Sequence, residues 1–107
     1  MSVTAKTFRS LALAFDGAEE RKHSGHPDFR VGGKIFATLG YPDEHWGMVK
    51  LTPEEQAAYM KLHPGAFMPA NGAWGAQGST LVRLSRVPKA VLEDALHAAW
   101  DLRRNLR

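Results

Sequence analysis

The chain has 107 residues, 14 Lys and Arg against 11 Asp and Glu, a hydrophobic share of 44% and no cysteine. That length suits one domain with a modest core, and the missing thiols exclude a disulfide framework, thiol catalysis and cysteine-ligated zinc or iron–sulfur centres. No apolar run approaches the roughly 20 residues of a membrane span, and Arg9 breaks the apolar N-terminal stretch that would otherwise look like a signal peptide. The expectation is a single domain over residues 1–107 that is cytoplasmic, monomeric and has no membrane partner.

The first helix is expected over about Thr4 to Phe15. Phe8, Leu11, Ala12 and Phe15 fall at i, i+3, i+4 and i+7 and so share one face. Thr4 can cap its start and Gly17 can end it in a left-handed conformation. Ala18 to Ser24 follows as a polar edge strand. Phe29 to Val31 and Lys34 to Leu39 then flank Gly32-Gly33, a pair that supplies the positive φ angles of a two-residue hairpin turn. The register this implies pairs Val31 with Lys34, Arg30 with Ile35 and Phe29 with Phe36, and paired residues share a face. One face then holds Phe29, Val31, Phe36 and Thr38, and the other holds Arg30, Ile35, Ala37 and Leu39. The aliphatic set is expected under helices. The aromatic set is expected on the opposite, partly covered face, with Arg21, Lys22, Lys34 and Lys50 near its rims.

Gly40 to Glu44 makes a second turn before a strand from Trp46 to Leu51, in which Val49 and Leu51 alternate against Trp46, Met48 and Lys50. Thr52-Pro53-Glu54-Glu55 is the best local signal in the chain: threonine caps, proline takes the first helical position and Glu55 bonds back to the cap. That helix ends before His63-Pro64-Gly65. Ala66 to Ser79 reads as a connection with Trp74 packed into or across the core. Ser79 to Leu84 is the last strand, and a helix from Pro88 buries Leu92, Ala95, Leu96, Ala99 and Trp100.

These segments also carry a resemblance. GHPDFRVGGKIFATLGYPDEHWGMVKLTPEEQ, followed by GAWGAQGSTLVRL and a closing helix, resembles the YjbR-like (MmcQ/YjbR) family of small bacterial proteins from about Phe8 to Trp100. The resemblance implies an α+β fold similar to frataxin, an antiparallel sheet with the N- and C-terminal helices packed on one face. It also brings the family's "double wing" likeness to DNA-binding proteins, an analogy of fold. It carries no catalytic residues over. Frataxins are read as iron binders through an acidic ridge on the first helix; here that helix has Lys6 and Arg9 and no carboxylate before Asp16.

Charge is unevenly spread. Residues 1–78 hold eight basic and eight acidic side chains, whereas residues 79–107 hold Arg83, Arg86, Lys89, Arg103, Arg104 and Arg107 against Glu93, Asp94 and Asp101. The C-terminal arginines also suit the negative end of a helix. His23, His26 and His45, with Asp28 or Asp43, could converge on a metal only if two turns met, and no ligand signature such as HExxH is present. Gly72 to Thr80 matches neither a P-loop nor a dinucleotide fingerprint, and Ser24, Ser79 and Thr80 lie outside any nucleophile elbow. The expectation is a non-enzymatic binding protein with no metal and no cofactor. Its nucleic-acid surface would be the sheet face with Phe29, Arg30, Lys34, Phe36, Trp46 and Lys50, or the basic set Arg83, Arg86, Lys89, Arg103 and Arg104. The alternative is a protein–protein adaptor that uses the open aromatic face; an enzyme built on the histidine-bearing turns is the third reading.

Overall fold

Hairpin turns set the architecture. The computed structural model describes residues 3–105; Arg107, one of the basic residues named above, lies outside them. Helix α1 (Ala5–Leu13) leads into strands β1 (Glu19–His23), β2 (His26–Val31), β3 (Lys34–Leu39) and β4 (Trp46–Lys50). Helix α2 (Pro53–Leu62), strand β5 (Phe67–Pro69), helix α3 (Gly72–Ala76), strand β6 (Ser79–Arg83) and helix α4 (Lys89–Arg104) follow. The strands form one six-stranded sheet in the order β1-β2-β3-β4-β6-β5, every pair antiparallel. Both β5 and α3 fall in the stretch expected to be a plain connection.

Local chemistry explains most element ends. Thr4 Oγ1 accepts from the Thr7 backbone N–H and caps α1. Thr52 Oγ1 accepts from the Glu55 N–H while Glu55 Oε1 accepts from the Thr52 N–H, a complete capping box on α2. Strand β1 is exposed along its whole length, which suits a charged edge that discourages further strand pairing. Helices α1 and α4 pack on one face of the sheet, with Phe8, Ala12, Leu92, Ala95, Leu96 and Ala99 fully enclosed. Helix α2 lies beside α4 toward the β5 edge, where Tyr59 Oη donates to Asp94 Oδ2 at 2.8 Å. Position 47, opposite Leu39 and Val82, takes glycine because a β-carbon there would fall 2.6 Å from the Phe8 ring. No described helix is long and apolar enough to cross a membrane.

The hairpin corrects the expected register. Val31 pairs with Lys34 and Arg30 with Ile35 as expected, but the ladder then shifts and Phe29 pairs with Ala37, not Phe36. The bulge puts Phe36 and Ala37 both into the core cluster, together with Phe29, Val31 and Leu39. Phe29, Val31 and Phe36 therefore lie under the helices and not on the open face expected for them, whereas Ala37, Leu39 and Val49 are buried as expected and Ile35 turns to the open side. Burial of two phenylalanines removes more apolar area than any arrangement leaving them on the open side, and that preference sets the register. Trp74 is corrected too: it is 68% exposed and does not enter the core.

Candidate ligand-binding cleft on the open sheet face

Alternation along the central strands decides what the uncovered face presents. Thr38, Met48 and Leu81 form one cross-strand row, and Lys50 stands directly opposite Ser79 on β6. With Ile35 they floor a cleft of about 490 Å³, within the range usual for small-ligand sites. One wall is the β1–β2 turn with His23, Ser24 and His26; Tyr41 from the β3–β4 turn and Trp74 from α3 complete the rim. The His26 and Tyr41 rings meet edge to face with centroids 6.2 Å apart.

A buried amide fastens the segment that carries Trp74 and Ser79. Gln56 Nε2 lies 3.0 Å from the Gly75 carbonyl oxygen, 3.1 Å from that of Ser79 and 3.1 Å from Thr80 Oγ1. Two glycines permit the close approach: a β-carbon on Gly75 would fall 1.8 Å from the Ala70 oxygen, and one on Gly78 would fall 1.8 Å from the Leu51 oxygen.

The electrostatics of the cleft are one-sided. Lys50 Nζ donates to Ser79 Oγ at 3.1 Å, and no carboxylate is among the lining residues. Burial pushes the Lys50 amine below the usual lysine range, and the nearby Arg103 charge pushes it further. The Arg103 Nε is itself buried without a hydrogen-bond partner among the described residues. At the other end Asp28 is fully enclosed, with Arg30 Nε at 2.8 Å, Arg30 Nη2 at 3.1 Å and His23 Nδ1 at 2.8 Å. The Arg30 guanidinium holds this carboxyl below its ordinary range against the opposing effect of burial, and His23 adds to the lowering. An ionised Asp28 only accepts, so His23 carries its proton on Nδ1 and keeps Nε2 free.

The residues anticipated from sequence meet only in part. Lys50 lines the cleft. Arg30 is 24% exposed at its side chain and committed to Asp28, Lys34 sits half-buried at the hairpin end outside the lining, and Phe36 is buried in the core and offers no surface. Trp46 is half-buried beneath the Arg83 guanidinium, 5.1 Å from its ring centroid. Arg104 pairs with Asp101 at 2.7 Å and covers Trp100. The basic set is not one patch: Arg83 and Arg86 precede α4 and Arg103 and Arg104 end it, about 22 Å apart along a helix of that length. His45 lies exposed beside Glu44 and does not join His23 and His26, and no group of three or more His, Cys, Asp or Glu among the described residues is arranged to hold a metal ion. Sequence reasoning missed His26, Tyr41 and Trp74 as one aromatic rim. Their only signal was their placement in turn-rich, Gly-containing segments.

An antiparallel sheet with helices on one face and a mixed aromatic and cationic cleft on the other defines an α+β protein of the YjbR type. The YjbR family model matches residues 13–102, and the chain belongs to that family. Among solved structures it is similar to a Deinococcus radiodurans protein with a DUF419 domain, at 19% identity and a TM-score of 0.80, covering 94% of this chain and 78% of that one. A Pseudomonas syringae protein is also similar, at 16% identity and a TM-score of 0.71, covering 95% of this chain and 100% of that one. At these identities the likeness is one of fold. No curated protein matches the chain.

Proposed function

We propose that this YjbR-family protein is a non-enzymatic binding protein that takes single-stranded nucleic acid weakly through its open sheet face, with a base entering the cleft. The observation that carries this reading is the cleft itself, an apolar floor with an aromatic rim, one lysine and no carboxylate. Unpaired bases stack on such rings, each stack contributing about 1–3 kcal/mol, whereas a duplex keeps its base faces covered. The binding is weak because the net charge is only +3 and several arginines are already engaged by Asp28, Asp101 or Trp46. Few phosphates are neutralised, so the salt dependence is shallow. The same reading makes the protein a cytoplasmic monomer that needs no cofactor, in keeping with a chain that has no cysteine.

Fluorescence anisotropy with labelled single strands and duplexes at low and moderate salt tests it. The expected result is micromolar or weaker affinity with single strands preferred. Trp74→Ala weakens the single-strand complex by about tenfold, the loss of one stack, and Arg103→Ala with Arg104→Ala matters less. Absence of binding in low salt, or a duplex preference untouched by Trp74→Ala, overturns the reading and leaves a protein partner for the exposed Trp74 and Tyr41 rim.

A further inference from the structure

We infer that the Lys50 corner of the cleft is a subsite for a phosphate monoester carried on a flat ring, the group shared by a free nucleoside monophosphate and the phosphorylated end of a strand. The inference rests on the open-face cleft being the binding surface, but it assigns a specific chemical group to one part of it.

The argument begins from charge without counter-charge. Lys50 Nζ is half-buried and its side-chain partner is the neutral Ser79 hydroxyl. Arg103, at the end of α4 and outside the cleft lining, adds a second positive charge within electrostatic reach of the Lys50 amine. The buried carboxylate among the described residues, Asp28, is already engaged by Arg30 and His23. Burial of the Lys50 amine lowers its pKa, and the like charge of Arg103 lowers it further. An anion in this corner offsets both effects.

Donor geometry narrows the anion. Ser79 Oγ accepts from Lys50 and so keeps its own proton to donate outward. Thr38 supplies a second hydroxyl to the lining. A phosphate monoester carries between one and two negative charges near neutral pH and three terminal oxygens, enough for an ammonium and two hydroxyls together. An internal diester of a strand carries one charge and two terminal oxygens and fits this corner less well. The floor of Ile35, Met48 and Leu81, with Trp74 at the rim, then receives the ring that bears the phosphate.

Calorimetry on the full chain with adenosine 5′-monophosphate, adenosine and inorganic phosphate provides the test, alongside anisotropy with one oligonucleotide bearing either a 5′-phosphate or a 5′-hydroxyl. The expected result is that adenosine monophosphate binds at least tenfold tighter than adenosine. Lys50→Met abolishes that gap while the protein stays folded by thermal melt, and Lys50→Arg, which keeps the charge, retains part of it. A 5′-phosphate preference in the oligonucleotide identifies a strand end as the source; tight mononucleotide binding without that preference identifies the free nucleotide. Equal affinity for adenosine and its monophosphate together with no 5′-phosphate preference, or a gap unchanged in folded Lys50→Met, overturns the inference. If single strands still bind in that case, the nucleic-acid reading survives alone. If the mononucleotide binds and no strand does, the subsite stands and the nucleic-acid reading falls.

Discussion

Gln56→Glu isolates the amide that holds the Trp74 side of the cleft in place. The side chain belongs to a residue only 9% exposed, and its Nε2 faces three oxygens at 3.0–3.1 Å. Glutamate has the same shape and nearly the same helix propensity, so α2 itself is little affected. The change replaces a donor with an acceptor pressed against two carbonyl oxygens. Loss of two donated bonds costs about 2 kcal/mol, and a desolvated carboxylate left without a donor adds about 1–3 more, for a total of about 3–5 kcal/mol. Gln56→Leu loses the same bonds without the charge. Its stranded acceptors keep other donors, because the Gly75 oxygen also takes the Gly78 N–H and the Ser79 oxygen takes the Ala70 N–H. The leucine variant therefore loses only about 1–2 kcal/mol. Urea unfolding at several pH values, with m-values checked for constancy, measures both. Burial raises the folded pKa of the introduced carboxyl above its unfolded value of about 4.3, so the extra penalty is absent below that pH and grows as the pH rises toward neutrality. A glutamate variant as stable as the parent at pH 7, or less damaged than the leucine variant there, would refute the reasoning.

Two glycines give a contrasting pair. Gly33 has φ +80° with open space where a β-carbon would point, so Gly33→Val costs about 1–2 kcal/mol of backbone strain alone. Gly78 has φ +111° and a β-carbon position 1.8 Å from the Leu51 oxygen, so Gly78→Ala costs more, about 3–5 kcal/mol; equal urea midpoints for the two would sink the close-approach argument. Asp28 predicts a pH signature. Its folded pKa lies below the unfolded 3.8, so its stabilisation is present above that pH and is lost as the pH falls through the lower folded value. Asp28→Asn is therefore less stable than the parent by about 2 kcal/mol at pH 7, a gap that closes in strong acid; parallel stability curves down to about pH 2 would contradict the charged network.

Signals confined to one turn or one period were legible without coordinates. The Thr52–Glu55 capping box, the polar edge strand β1, the α4 stripe through Leu92, Ala95, Leu96 and Ala99, and the Gly32-Gly33 turn all depend on residues within a few positions of each other. The three-residue β5 and the five-residue α3 escaped notice for the opposite reason. Neither segment has the length or propensity to stand alone, and each is held by distant partners, β5 by β6 and the α3 segment by Gln56. Among the candidate site residues, Lys50 was legible from strand alternation. Phe36 and Trp74 were each assigned the environment opposite to the one they occupy.

Apart from β5 and α3, the sequence by itself determined the order of strands and helices and the turns that make the sheet antiparallel. These follow from local hydrogen-bond chemistry and apolar periodicity, whereas the α+β class with its terminal helices on one side is what the resemblance to the YjbR-like family implied. Tertiary structure alone decided which side of the sheet those helices cover. Both sides of the hairpin are apolar enough to be buried, and a single bulge after Arg30–Ile35 tips Phe36 and Ala37 into the core together. That choice turned Lys50, Met48 and Leu81 outward and let His26 of β2, Tyr41 of the β3–β4 turn and Trp74 of α3 gather around them. Packing energy is summed over the whole core, so the cleft's position is a property of the assembled sheet and of no stretch of chain alone.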